Sequence, residues 1–130
     1  MSQPVPYGAI IYASDYRSLA KFYERVAGLA QREADEEYVL LEAPSFQLVI
    51  LQIPERIAAN ITIEKPPRKR ENTPIKLFLN VSSIENARQT AKALGGELNG
   101  PEKEWKFHGV SRCDGIDPEG NVFKLQEVPE

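Results

Sequence analysis

The stretch "DGIDPEGNVFKLQEV", residues 114–128, decides the fold, because part of it can be laid over an earlier part of the chain. It begins as a turn. Asp117 at the start, then Pro118, then Gly120 in fourth place are turn chemistry, so their prominence needs no catalytic role. It ends as a strand, in which Phe123 and Leu125 alternate with Val122, Lys124 and Gln126. The segment "FKLQ" (123–126) matches "VILQ" (49–52). Working outward, the strand at 76–81 matches 8–13, Ser83 matches Asp15, and Gly96 matches Gly28.

Between those landmarks the two halves run alike. Asp15 and Ser83 are residues that cap helices by accepting a backbone N–H. After Asp15, Leu19, Phe22, Tyr23 and Val26 recur on one helical face; after Ser83, Ile84, Ala87, Ala91 and Leu94 do the same. Gly28 and Gly95-Gly96 are placed to end the two helices. Strands follow at 38–43 and 46–53, with a weaker one at 31–34, and in the second half one is expected within 107–115. Each half therefore reads strand-helix-strand-strand-strand. A repeat of this length changes the fold class. One half cannot bury its helix and its sheet edge alone, so two must pack together.

The expected fold class is α+β: a single domain over residues 1–130, with a first βαβββ module at about 5–54 and a second at about 75–128. Between them, about 55–74 reads as linker. From Pro54 to Pro74 the chain holds four prolines and the charge cluster "EKPPRKRE" (64–71), which carries acids at both ends, with a short edge strand expected at 61–64. The 130-residue length suits one hydrophobic core, and 42% hydrophobic with 27% charged residues is globular composition. A formal net charge of −3 argues against nucleic-acid binding. No apolar run approaches the ~20 residues that span a bilayer, and no secretory leader is visible. With one cysteine, Cys113, no internal disulfide forms, and a cytoplasmic location is expected. Cys113 itself reads as a small packing residue.

Alternation assigns faces. Val49, Leu51, Phe123 and Leu125 are expected under the helices. The opposite parity, Leu48, Ile50, Gln52, Val122, Lys124 and Gln126, is expected on the concave side of a curved sheet. Gly8, Ile10 and Tyr12 on the first strand, and Lys76, Phe78 and Asn80 on its counterpart, join them there.

Three stretches, "ASDYRSLAKFYERVAGL" (13–29), "ALGGEL" (93–98) and "DPEGNVFKLQE" (117–127), resemble the vicinal oxygen chelate superfamily, the group of glyoxalases, bleomycin-resistance proteins and extradiol dioxygenases. The resemblance covers nearly the whole chain outside 54–74. It implies paired βαβββ modules forming a cup around a small-molecule site, with helices on the outer face, commonly in a homodimer. It also implies a divalent metal held by side chains of the first and last strand of each module. Those positions fall here on Gly8, Lys76, Ile50 and Lys124. None offers imidazole, carboxylate or thiolate, and a protonated lysine has no lone pair and repels a cation. No metal or other cofactor is therefore expected.

Lys76 and Lys124 are then the candidate catalytic groups. Two ammonium groups on adjacent inward positions repel, and burial adds a desolvation cost. Three outcomes stay open: an anion sits between them, one lysine is neutral and serves as base or amine nucleophile, or both reach the cup mouth or pair with Glu127, Glu42 or Glu104. Tyr12, Phe78, Trp105, Phe107 and His108 supply aromatic surface to stack a planar ligand, with Ile50, Gln52, Asn80 and Gln126 completing the expected lining. The parity of Arg112 is not settled by the sequence, nor is whether the modules pair within one chain or across a dimer. The leading reading is a metal-free, small-molecule-binding member of the superfamily with a preference for anions. A metal-dependent lyase, isomerase or dioxygenase, and a metal-free lysine-dependent enzyme, are the alternatives.

Overall fold

A computed structural model describes residues 5–129. The first module consists of β1 (Tyr7–Ala13), α1 (Tyr16–Ala27), β2 (Ala30–Ala34), β3 (Tyr38–Ala43) and β4 (Phe46–Gln52). A one-turn helix, α2 (Glu55–Ala58), opens the connecting segment. The second module consists of β5 (Leu77–Val81), α3 (Ile84–Ala93), the two-residue β6 (Glu97–Leu98), a 3₁₀ turn (Pro101–Lys103), β7 (Trp105–Phe107), β8 (Val110–Ile116) and β9 (Val122–Glu127). The edge strand expected at 61–64 is not formed; those residues are irregular. No helix among the described residues is long and apolar enough to cross a membrane.

Both helices form where their caps predict. The Asp15 carboxylate accepts from Ser18 N at 3.2 Å, and Ser83 Oγ accepts from Asn86 N at 3.1 Å. Each cap satisfies one of the orphan donors of a first turn. Gly28 (φ 68°) ends α1 and Gly95 (φ 91°) ends α3, both in the left-handed conformation that side chains disfavour.

The strands form two sheets. The first has the order β1-β4-β3-β2, the second β5-β9-β8-β6 with β7 paired to β8. In each, the first and last strands of the module are parallel neighbours (β1 with β4, β5 with β9), and the other pairings are antiparallel. The single curved sheet of the sequence reading is thus two mixed sheets, with no strand pairing between them among the described residues.

The modules interlock on the helix side. Phe22 and Tyr23 of α1 meet Phe123 of β9 edge-to-face, each pair with ring centroids 5.7 Å apart. The Tyr23 hydroxyl donates to the fully buried Asp117 at 2.7 Å. Glu119 reaches across to accept from Ser14 N and Asp15 N, both at 2.8 Å, at the start of α1. Gly96 carries no Cβ because the Phe22 ring occupies that space. The closing turn of one module thus caps and packs the helix of the other.

Register corrects one expectation. β1 pairs Ile11 with Ile50, and β5 pairs Leu79 with Leu125, so Ile50 corresponds to Leu125 rather than to Lys124. Leu48 and Ile50 are fully buried under α1, whereas Val49 and Leu51 lie on the open face. The repeat in the last strands is one residue out of step with the "VILQ"/"FKLQ" match, and a one-residue slip exchanges the faces. The helix starts give the same correspondence: Gln52 Oε1 accepts from Tyr16 N at 3.3 Å, and Glu127 Oε1 accepts from Ile84 N at 2.8 Å. The second-module assignment holds, with Phe123 and Leu125 fully buried.

Candidate functional site

The face of each sheet opposite its helix is open. Ile10 (56% exposed), Tyr12 (61%) and Phe78 (59%) are large apolar side chains left in solvent. The two faces differ in chemistry. That of the first sheet carries Ile10, Tyr12, Val49, Leu51 and Leu40, with Glu42 toward one end. That of the second sheet is aromatic and basic.

On the second sheet, pairing lays side chains out in rows across the strands. One row is Phe78, Lys124, Asp114; the next is Asn80, Gln126, Arg112, Trp105. Lys76 Nζ reaches diagonally to Asp114 Oδ2 at 2.9 Å. The Lys124 ammonium stands 5.4 Å from the centre of the Trp105 ring, and the Arg112 guanidinium 5.1 Å from that of Phe107, both cation–π arrangements. The Gln126 amide donates to the Asn80 carbonyl oxygen. Two polar atoms in this neighbourhood are buried without a hydrogen-bond partner: Arg112 Nε and Asp114 Oδ1. A donor and an acceptor left unsatisfied on the same face of one strand are costly.

The sequence-derived candidates divide accordingly. Lys76, Phe78, Asn80, Trp105, Lys124 and Gln126 share the second-sheet face. Tyr12 is on the open face of the first sheet. Ile50 is core, for the register reason given above. Gln52 is structural: besides holding Tyr16 N, its amide donates to Ser14 O at 3.0 Å and Ile53 O at 2.9 Å. His108 occupies the two-residue turn between β7 and β8 with φ 52°, its ring packed on Phe107 4.2 Å away, at the hairpin tip. The lysine partners named from sequence are engaged elsewhere. Glu127 holds Ile84 N, Glu104 pairs with Arg88, and Glu42 lies on the first sheet within 3.9 Å of Arg32. Asp114 was missed as a site residue, and Arg112 stayed open because the sequence does not settle its parity. Reading His108-Gly109 as a two-residue hairpin turn would have fixed the parity of both.

Family metal positions can be tested on these strands. With the register corrected, they carry Gly8, Val49, Lys76 and Lys124. Hydrogen, methyl and ammonium groups do not fit a divalent cation. Among the described residues, no three His, Cys, Asp or Glu side chains converge in a way that could hold one.

Two interlocked βαβββ modules with open sheet faces are the architecture of the vicinal oxygen chelate kind. The model of the glyoxalase-like domain matches residues 9–126, and the chain belongs to that family. Solved structures agree on the fold. A glyoxalase/bleomycin resistance protein/dioxygenase family enzyme from Burkholderia phytofirmans PsJN superposes with TM-score 0.67 at 18% identity, covering 93% of this chain and 96% of that one. A glyoxalase/bleomycin resistance protein from Albidiferax ferrireducens T118 gives 0.64 at 17%, covering 95% and 97%. A bleomycin resistance determinant encoded on the transposon Tn5 gives 0.59 at 17%, covering 98% of each chain. No curated protein matches the sequence.

Proposed function

We propose that this protein binds a small planar anion, such as an aromatic carboxylate, on the basic face of its second sheet, without a metal. The observation that carries the reading is the unpartnered pair Arg112 Nε and Asp114 Oδ1, set among Trp105, Phe107 and Phe78. A carboxylate supplies an acceptor to the guanidinium, a hydroxyl or N–H on the same ring supplies a donor to Asp114, and the ring stacks on the aromatic wall. Lys124 adds the second positive charge. Lys76 is neutralised by Asp114 and Lys124 lies over Trp105, so both lysines serve binding rather than proton transfer. The role is that of a sequestering or ligand-sensing protein.

The cup is completed by a second copy. The open faces of the two sheets are chemically complementary, one apolar with Glu42 and one aromatic and basic, so each second-sheet face meets the first-sheet face of its partner in a homodimer with two cups.

Trp105 is the only tryptophan, so it reports on this face directly. Titration with salicylate, benzoate and a neutral benzamide is expected to quench its fluorescence saturably with the anions, and Arg112→Met to weaken binding at least tenfold. Unchanged affinity in Arg112→Met, or equal binding of the neutral compound, overturns the reading.

A further inference from the structure

On the helix side of the molecule, a cavity of about 880 Å³ shares no lining residue with the site described above. The start of α1, the end of α3 with β6, the Pro118-Glu119 turn and the connecting segment wall it. The segment is held at both ends. Ile61 N donates to Ala58 O at 3.0 Å, Arg70 N to Gly120 O at 3.0 Å and Arg70 Nε to Glu119 O at 3.2 Å. A Cβ on Gly120 would collide with Arg68 O, so the turn admits the segment because glycine stands there. Between these anchors Ile61 and Ile63 line the cavity, as Leu94 does from the end of α3. Ile61 is exposed and Ile63 half-buried. Apolar side chains that wall an open volume instead of packing into core leave area for a ligand to cover.

The charges around the volume select its occupant. The carboxylates of the lining are Asp15, Glu97 and Glu119, and its lysines are Lys65 and Lys92. None of these five forms an ion pair among the described residues. Arg88 also lines the cavity, but its charge is taken up by Glu85 and Glu104, which do not. Three carboxylates against two ammonium groups leave the lining negative by one charge. The helix ends do not change that balance, because the positive end of α1 and the negative end of α3 both abut the cavity and oppose each other. Glu119 accepts from Ser14 N and Asp15 N, and Asp15 Oδ1 from Ser18 N, so two of the carboxylates are occupied at the start of α1. Glu97 is exposed on β6 and has no such task. Ser14 Oγ, in the same lining, is buried without a hydrogen-bond partner and is a further acceptor.

We infer that this cavity is a second ligand site, for an amphipathic primary ammonium ion, an alkyl chain ending in one –NH₃⁺ group. The alkyl chain covers Ile61, Ile63 and Leu94. The ammonium sits toward Glu97, donating N–H to a carboxylate that can only accept. An alkyl carboxylate would add to the negative excess, and an alkyl alcohol would leave it unneutralised. The segment between the modules is then a wall of a site rather than a passive linker.

The test is calorimetric titration of the full chain with decylammonium, in parallel with decanol and decanoate, each below its micelle concentration. Glu97→Gln, Ile63→Asn and Lys92→Gln follow; none of the three residues belongs to the core, and thermal melting confirms that the variants fold. Saturable binding of decylammonium, at least tenfold tighter than of the alcohol or the carboxylate, supports the site. Glu97→Gln and Ile63→Asn should each weaken it severalfold, and Lys92→Gln should tighten it, a split in sign that general damage to the fold would not produce. Trp105 lines no part of the cavity, so its emission should stay constant. Absence of saturable binding overturns the inference, as do decanoate binding as tightly as the amine, unchanged affinity in Glu97→Gln, and weakening in Lys92→Gln. Saturable quenching of Trp105 also overturns it, by placing the amine on the second-sheet face. Failure of salicylate to bind leaves the decylammonium result intact, so the two sites stand or fall separately.

Discussion

The closing strands of the two modules, β4 and β9, do the same structural work with different chemistry. Both lie parallel to the first strand of their module, both bury two apolar side chains under a helix, and both end in a side-chain oxygen that accepts from the first N–H of that helix. They differ on the open face. β4 presents Val49 and Leu51 there, and β9 presents Lys124 and Gln126. Duplication fixes the backbone and the buried face. The open face is free to diverge, and on this chain it has diverged into one apolar wall and one basic wall.

The largest expected effect breaks the comparison at its register. Ile50 is buried as Leu125 is, and Val49 is open as Lys124 is. Ile50→Lys buries an unpaired ammonium and is expected to cost more than about 4 kcal/mol, leaving little folded protein. Val49→Lys places the same group where β9 already tolerates one, and should change stability by under about 1 kcal/mol. Urea unfolding of the two variants checks it. The reverse ranking would restore the "VILQ"/"FKLQ" match.

That contrast also explains what was legible. β9 could be read because Lys124 and Gln126 mark one face and Phe123 and Leu125 the other. β4 reads Leu48-Val49-Ile50-Leu51, apolar on both faces, so alternation carries no signal and only its neighbours set the register. The repeat, both helices and their caps were legible because capping and helical periodicity are local. The two-sheet arrangement was not, since it depends on α1 packing across modules. Of the candidate site, Lys124, Lys76 and Phe78 followed from strand parity, and Trp105 was named only for its aromatic ring. Arg112 and Asp114 required the turn at His108-Gly109, and the Lys76–Asp114 pair required the β8–β9 register.

A second difference between the modules is expected to have the next largest effect. The closing turn of the second module buries Asp117, which accepts from Tyr23 Oη, Glu119 N, Asn121 N and Asn121 Nδ2. The first module has only the short Pro44-Ser45 turn in the corresponding place. Asp117→Ala leaves those donors unsatisfied and is expected to cost about 3 kcal/mol. Burial pushes the Asp117 carboxyl above its usual range despite these hydrogen bonds, and the Tyr23 hydroxyl is held well above its own by burial and by the Asp117 charge. The sign follows from linkage. An acid raised in the folded state contributes stability that is complete below the unfolded-state value of about 3.9 and is lost as pH rises through the folded value. Replacing Asp117 with Asn should therefore flatten the decline in stability just above pH ~4. A pH series of unfolding free energies for the two proteins that ran parallel there would remove Asp117 as the source.

The smallest effect concerns the open faces themselves. Lys124 corresponds to Val49, so Lys124→Val makes the two walls alike at that position. The variant loses the cation above Trp105, worth about 0.5–1 kcal/mol at an exposed site, and frees no buried group. Stability should fall by no more than that. The optical consequence is larger: the Trp105 emission spectrum should shift, and its quenching by salicylate should weaken severalfold. If Lys124→Val binds salicylate as tightly as the parent, the second positive charge has no part in recognition. The basic wall would then reduce to Arg112 alone. If affinity falls while stability holds, the divergence between the two strands is a binding difference, carried by one side chain on a backbone common to both.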